Sequence, residues 1–464
     1  MNNSSKTLVK KYEIDMTSGA LLGKVLIFSI PLIISSILQL LFNAADIVVV
    51  GQFTGEKGAT YIAAIGSTSS LINLLVSLVM GLSVGANVLV ARYYAMNDAK
   101  ATEETVHTSM ALSILGGIVL AVIGITLSRP LLTLMGSPDT VIEYSILYMR
   151  IYFAGMPLIL IYNFGSAILR AVGDTRRPLY YLMAAGVLNV ILNLIFVIGL
   201  QMNVAGVALA TIISQGLSAG LIVRCLIMQN DIYRLVIKNI RISVDKLKRI
   251  VSIGLPAGIQ SSLFSFSNVL IQSSVNSFGD VAMSGNATGS NLEGFVYVSM
   301  NALAQASVSF MSQNYGAKKT ERLNRVLFTC VLVVTTIGLV MGNLFYIFGY
   351  NLASIYTSDS AAIEYAVNRL SIICTTYFLC GIMDVVCGAL RGLGYSVMPM
   401  IVSLAGACGF RILWIMTVFQ MNHTLKTLYI SYPVSWFITS AVHFICYFYV
   451  KRIAVKKLEI EVKK

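Results

Sequence analysis

The sequence predicts an all-α polytopic membrane protein: twelve transmembrane helices in two parallel six-helix bundles related by pseudo-twofold symmetry along the membrane normal. Three observations predict it. Of 464 residues, 57% are hydrophobic and only 11% charged, with a mean hydropathy of +0.80, whereas a soluble domain carries about 25% charged residues. Apolar runs of about 20 or more residues, the length a helix needs to cross the hydrocarbon core, recur twelve times. Segments of the first half reappear in the second half at one constant offset.

The elements follow in chain order. A polar N-terminal segment over 1–24 contains Lys6, Lys10 and Lys11 and leads into the first run without a small-residue cleavage site, so it is not read as a removable signal. Six apolar runs near 25–51, 61–91, 106–128, 143–171, 178–200 and 204–228 form an N-terminal lobe over 25–228. A basic linker over 229–250 holds Arg234, Lys238, Arg241, Lys246, Lys248 and Arg249. Six more runs near 251–277, 284–314, 324–349, 362–390, 399–419 and 427–450 form a C-terminal lobe over 251–450, and a basic tail over 451–464 ends the chain.

The net charge of +13 is scattered through short loops and does not form a nucleic-acid-binding block. Arg176, Arg177, the linker, Lys318, Lys319, Arg322, Arg325 and the tail share the side of the N-terminus, while the opposite loops offer only Lys57, Arg129 and Lys426. By the positive-inside rule both termini are cytoplasmic, and the expected bilayer is the plasma (inner) membrane. The seven cysteines (Cys225, Cys330, Cys374, Cys380, Cys387, Cys408, Cys446) lie in or beside apolar runs with no CxxC pair, which reads as packing and not as metal binding or a disulfide framework.

The internal repeat is written in "AILRAVGDTRRP" and "GALRGLGYSVMP": Arg170, Gly173 and Pro178 recur as Arg391, Gly394 and Pro399. At the same offset Tyr94 matches Tyr315. A looser echo places an Asn twelve residues after a proline in each half, Asn43 after Pro31 and Asn268 after Pro256. Six spans per repeat give both halves the same orientation, with a symmetry axis along the membrane normal and a substrate cavity expected between the bundles.

The intramembrane polar residues are the candidates for function. A mid-helix Asp costs about 3 kcal/mol on insertion scales, so Asp46 in "FNAADIVVVG" is expected to face a cavity, find a partner or hold a proton. The plainer reading is a carboxylate reaching interfacial water. Asn189 and Asn193 lie one turn apart on one face of the fifth span, and Thr211 lies on the sixth. Carboxylate, amide and hydroxyl oxygens suit a small hard cation such as sodium; the same groups would also tune a proton-binding Asp, and Asn and Thr alone commonly make interhelical hydrogen bonds. Glu293, Asp384 and Arg411 lie within spans of the second half, Asp384 and Arg411 as either a structural ion pair or substrate contacts. Gln39, Asn163, Gln260 and Asn268 add polar points for a substrate cleft.

No phosphate-binding Gly-Lys-Ser/Thr loop, nucleotide-binding domain or His-Glu-x-x-His pair is present, so ATP-driven pumping by this chain alone and metal-dependent hydrolysis are not expected. No cofactor is expected beyond a coupling ion.

With Pro31 and "NAADIVVVGQF" in the first span, the doubled Arg-x-x-Gly-x-x-x-x-Pro, "SQNYGAKKTERL" after the eighth span and "LNVILNLIFVIG" in the fifth, the chain resembles the multidrug and toxic compound extrusion (MATE) transporters. It most resembles the prokaryotic branch whose cation site lies in the N-terminal lobe. The resemblance spans about residues 15–455. It implies a secondary antiporter that expels cationic or amphipathic compounds in exchange for protons or sodium by rocking two lobes. A cleft between two covalently linked lobes needs no partner subunit, so a monomer is expected. The resemblance also implies that Asp46 is the coupling residue, with Asn189, Asn193 and Thr211 as partners and Gln39 lining the cleft. Asn43, Glu293, Asp384 and Arg411 are further cleft candidates, and Pro31, which frees one backbone bond, is the expected hinge of the first span. The branch often has a second Asp where this sequence has Asn193, so the site carries one negative charge fewer. Two rival functions are a flippase of lipid-linked saccharides with the same core and a membrane-integrated enzyme. A cationic cavity and extra spans would mark the first, a catalytic constellation the second.

Overall fold

The structure is a computed structural model that describes residues 12–463. Lys6, Lys10 and Lys11 lie outside the described residues. The described chain is helical, with no strand, as expected where lipid offers the backbone no hydrogen bonds and each segment must satisfy its own. In chain order the long helices are α1 (Leu21–Phe53), α2 (Gly58–Ala95), α3 (Ala99–Leu134), α4 (Asp139–Ala154 and Met156–Ala171), α5 (Arg176–Gly199) and α6 (Asn203–Ile227). They continue as α7 (Val244–Asn276), α8 (Asp280–Gly316), α9 (Thr320–Ile347), α10 (Ser360–Gly392), α11 (Val397–Met421) and α12 (Leu425–Lys463).

Among the described residues, ten of these are long and apolar enough to cross a membrane, and the two halves of α4, bent by 48°, make an eleventh. The twelfth, α8, has 37 residues but is too polar to pass on composition, because it carries Asn286, Asn291, Glu293, Asn301 and Gln305 along its length. The α4 bend falls at Pro157, at the start of its second half, whose missing N–H removes one helical hydrogen bond and whose ring crowds the preceding turn.

The helix ends repeat as the sequence does. Gly173 and Gly394 adopt φ of +98° and +93°, closed by Asp174 N to Leu169 O at 2.9 Å and Tyr395 N to Leu390 O at 3.0 Å. This left-handed cap is one that glycine forms without a Cβ clash. Asn97 and Lys318, related by the same offset, end α2 and α8 with φ of +56° and +57°. Each lobe's fifth helix also contains a π-helical turn, Leu194–Gly199 in α5 and Leu404–Gly409 in α11. The helices α3 and α10 start on Asp98 and Asp359, whose carboxylates accept from Ala101 N at 3.0 Å and Ala361 N at 2.9 Å, each satisfying an orphan donor of the first turn.

The described residues form two compact units, one of 12–14 and 34–258, the other of 15–33 and 259–463. The division therefore runs through α1 and α7 and not through the basic linker, and in both helices it falls two residues after a proline, Pro31 and Pro256. A proline removes one i→i−4 bond, so it is where a helix deforms at least cost.

In the first unit, Phe153, Leu160, Phe164 and Met149 of α4 pack with Leu132 of α3 and Val207 of α6, all fully buried. The backbones of α2 and α7 touch at glycines: a Cβ on Gly81 would lie 2.3 Å from Gly258 N. Glu13 is fixed here, accepting from Tyr233 at 2.6 Å and Tyr94 at 3.2 Å. In the second unit, Phe28 meets Phe310 edge-on at 5.5 Å. Asn314 Nδ2 donates to Met16 O at 3.0 Å, and Lys319 Nζ to Thr17 O at 2.8 Å.

Candidate functional site

In the first unit, α1, α5 and α6 bring four of the sequence-predicted residues together. Asn193 Nδ2 donates to Asp46 Oδ1 at 2.5 Å and to Asn189 Oδ1 at 3.2 Å, and Thr211 Oγ1 donates to Asp46 Oδ2 at 3.4 Å. The Asn189–Asn193 spacing of one turn puts both amides on the face of α5 that meets α1. Asp46, Asn189 and Asn193 are all buried, Asn193 completely. The approach of α5 to this part of α1 depends on Gly186, where a Cβ would fall 1.8 Å from the Phe42 ring. Phe42 is one turn before Asp46, so the glycine seats the carboxylate against the amides.

One polar atom here has no partner. Asn193 Oδ1 is enclosed and accepts no hydrogen bond, which leaves a bare acceptor close to the carboxylate at a cost of about 1–3 kcal/mol. A proton carried by Asp46 or a small cation among these oxygens would relieve it. The available donors, Asp46, Asn189 Oδ1, Asn193 Oδ1 and Thr211 Oγ1, are all hard oxygens and fit sodium. No cluster of three His, Cys, Asp or Glu that would hold a transition metal occurs among the described residues. Tyr148 and Tyr152 of α4, whose rings stack 6.0 Å apart, lie within electrostatic reach of Asp46. Sequence reasoning passed over them, because tyrosines one turn apart look like ordinary packing.

The remaining candidates do not join this cluster. Gln39 and Asn43 of α1 are exposed. Asn163 spends its amide on Ile159 O at 2.8 Å, within α4.

The second unit holds a separate polar network. Glu293 of α8, a cleft candidate, is buried and paired with Arg369 of α10 through bonds of 2.6 and 3.1 Å. Arg369 was not among the sequence candidates. Its Nη1 also donates to Asn286 Oδ1 at 2.7 Å, which accepts from Tyr429 at 3.1 Å. Asp384 and Arg411 form no ion pair with each other: Arg411 Nε donates to Ser435 at 2.9 Å, and Asp384 feels the charge of Arg391. Gln260 is buried and accepts from Arg391 at 2.8 Å. Asn268 is exposed.

With this geometry in view, the comparisons identify the class of protein and then its family. The family model described as MatE matches residues 31–195 and 256–417, one block in each half. The chain is a multi-pass membrane transporter and not an enzyme. It belongs to the MatE family of MATE transporters. Among curated relatives, "Probable multidrug resistance protein YoeA" of Bacillus subtilis is 26% identical over 422 residues, covering 88% of this chain and 90% of the relative. The "Multidrug export protein MepA" of Staphylococcus saprophyticus is 23% identical over 371 residues, covering 79% and 80%. Among solved structures, a MATE protein in complex with MaL6 superposes with a TM-score of 0.87 at 22% identity, covering 96% of this chain and 98% of that one. That likeness fixes the twelve-helix fold.

Proposed function

We propose that the chain is a secondary active antiporter that exports cationic or amphipathic compounds in exchange for protons or sodium ions by alternating access. Relatives named as multidrug resistance and export proteins support the direction and substrate class. The observation that carries the coupling is the buried Asp46 carboxylate, held by Asn193 and Thr211 beside an amide oxygen with no donor.

In this reading Asp46 holds either the coupling ion or the cationic substrate, never both. Asn193 and Thr211 orient the carboxylate, and Asn189 holds Asn193 in place. Pro31 is the hinge of α1 and Pro256 its counterpart in α7. The protein sits in the plasma membrane with both termini cytoplasmic and works as a monomer. An acidic locus in the first unit weighs against a flippase of lipid-linked saccharides, whose anionic pyrophosphate calls for a cationic cavity.

The test is ethidium efflux from loaded proteoliposomes, with the pH gradient and the sodium gradient imposed one at a time. One of the two gradients drives uphill efflux, and the other does not. Efflux under neither gradient contradicts the antiport reading.

A further inference from the structure

We propose that the second unit carries a receptor for the carboxylate of a transported organic molecule, centred on Arg411; the inference rests on the export reading above. Arg411 lies in α11 just after the π-helical turn Leu404–Gly409. Ten residues separate it from the end of the span at Met421 and fourteen from its start at Val397. The regular helix breaks at Thr417, six residues beyond Arg411, and Arg411 sits in the middle third of the apolar span Val397–Met421. An arginine at such depth is expensive, and its charge is normally neutralised by an acid or used.

Here no acid neutralises it. Among the described residues no carboxylate lies within ion-pair distance of Arg411: Glu293 is committed to Arg369, and Asp384 does not reach it. What Arg411 has instead is a mount. Its Nε donates to Ser435 at 2.9 Å, and its guanidinium lies 4.1 Å over the Tyr432 ring and 5.4 Å from the Trp436 ring. All three are on one face of α12 and all are buried. Stacking on the rings and the bond to Ser435 fix the plane and one edge of the guanidinium, while leaving its charge intact.

The two terminal nitrogens are left over. Neither has an acceptor among the described residues, and neither is among the fully enclosed polar atoms that lack one, so the 5% of Arg411 that stays accessible includes the end of the fork. A rigid pair of N–H donors presented end-on matches the two oxygens of a carboxylate. The depth favours the carboxylate of a small molecule over a lipid headgroup phosphate, which stays at the interface.

The probes are rhodamine B, which carries a free carboxylate, and its ethyl ester, which has the same dye cation without it. Binding is followed by fluorescence anisotropy for the wild type, Arg411→Gln and Arg411→Lys in phosphatidylcholine nanodiscs. Arg411→Gln weakens rhodamine B binding at least tenfold and leaves the ester within twofold; Arg411→Lys, which keeps the charge and loses the fork, falls between. Unchanged rhodamine B binding in Arg411→Gln, or equal losses for both dyes, overturns the proposal. Displacement of rhodamine B when a fifth of the lipid is phosphatidylglycerol would assign Arg411 to a lipid headgroup and also overturn it. The export reading is judged separately, by gradient-driven efflux of the ester by the wild type.

Discussion

At the scale of the residue, the site turns on one carboxylate and one amide. Asp46 was legible in the sequence because an acid stands out in a run such as "FNAADIVVVG", and Asn189 and Asn193 because a four-residue spacing puts them on one face. The bond that joins them was not legible, since it links residues 147 apart in the chain and depends on Phe42 closing against Gly186. A hydrogen bond to a charged group contributes about 1.5–3 kcal/mol. Asn193→Ala therefore slows gradient-driven efflux by roughly tenfold or more, measured as the initial rate in proteoliposomes. Thr211→Ala has the smaller effect, because its bond is long at 3.4 Å.

At the scale of the element, the helices and the repeat were readable, with one instructive difficulty in the polar α8. Length and loop charge mark it as a span, whereas composition alone does not, because its Glu293 and Asn286 are satisfied inside the unit by Arg369. That pairing was hidden for the reason the Asp46 site was: partners on separate helices leave no pattern in either one. Breaking a buried ion pair by removing one member costs about 3–5 kcal/mol, while replacing both by apolar groups is often neutral. Arg369→Met alone lowers the thermal midpoint in detergent sharply, and Arg369→Met with Glu293→Leu recovers most of the loss. A similar loss in the double variant would mean that packing around Arg369, and not the charge pair, holds α8 to α10.

At the scale of the whole molecule, the doubling of the chain was the most legible feature. The Arg-x-x-Gly-x-x-x-x-Pro repeat fixes matching left-handed turns at Gly173 and Gly394, so sequence and backbone carry the same period. The compact units divide inside α1 and α7, because a helix can change the set of neighbours it packs against along its length. Charge counting at this scale also has a consequence for energetics. With Asp46 as the only carboxylate of the site, exchange of one proton or sodium for one monovalent cation moves no net charge. A membrane potential, worth about 2.3 kcal/mol per charge at 100 mV, then adds nothing, and each pH unit, worth about 1.4 kcal/mol, sustains at most about a tenfold gradient.

The measurement that tests the account most directly is ethidium efflux from proteoliposomes for the wild type and Asp46→Asn, driven by the active ion gradient and, separately, by a potassium diffusion potential. The account predicts that the ion gradient drives the wild type, that the potential alone does not, and that Asp46→Asn abolishes uphill efflux while the protein remains folded by its thermal midpoint. Full gradient-driven efflux by Asp46→Asn would contradict it.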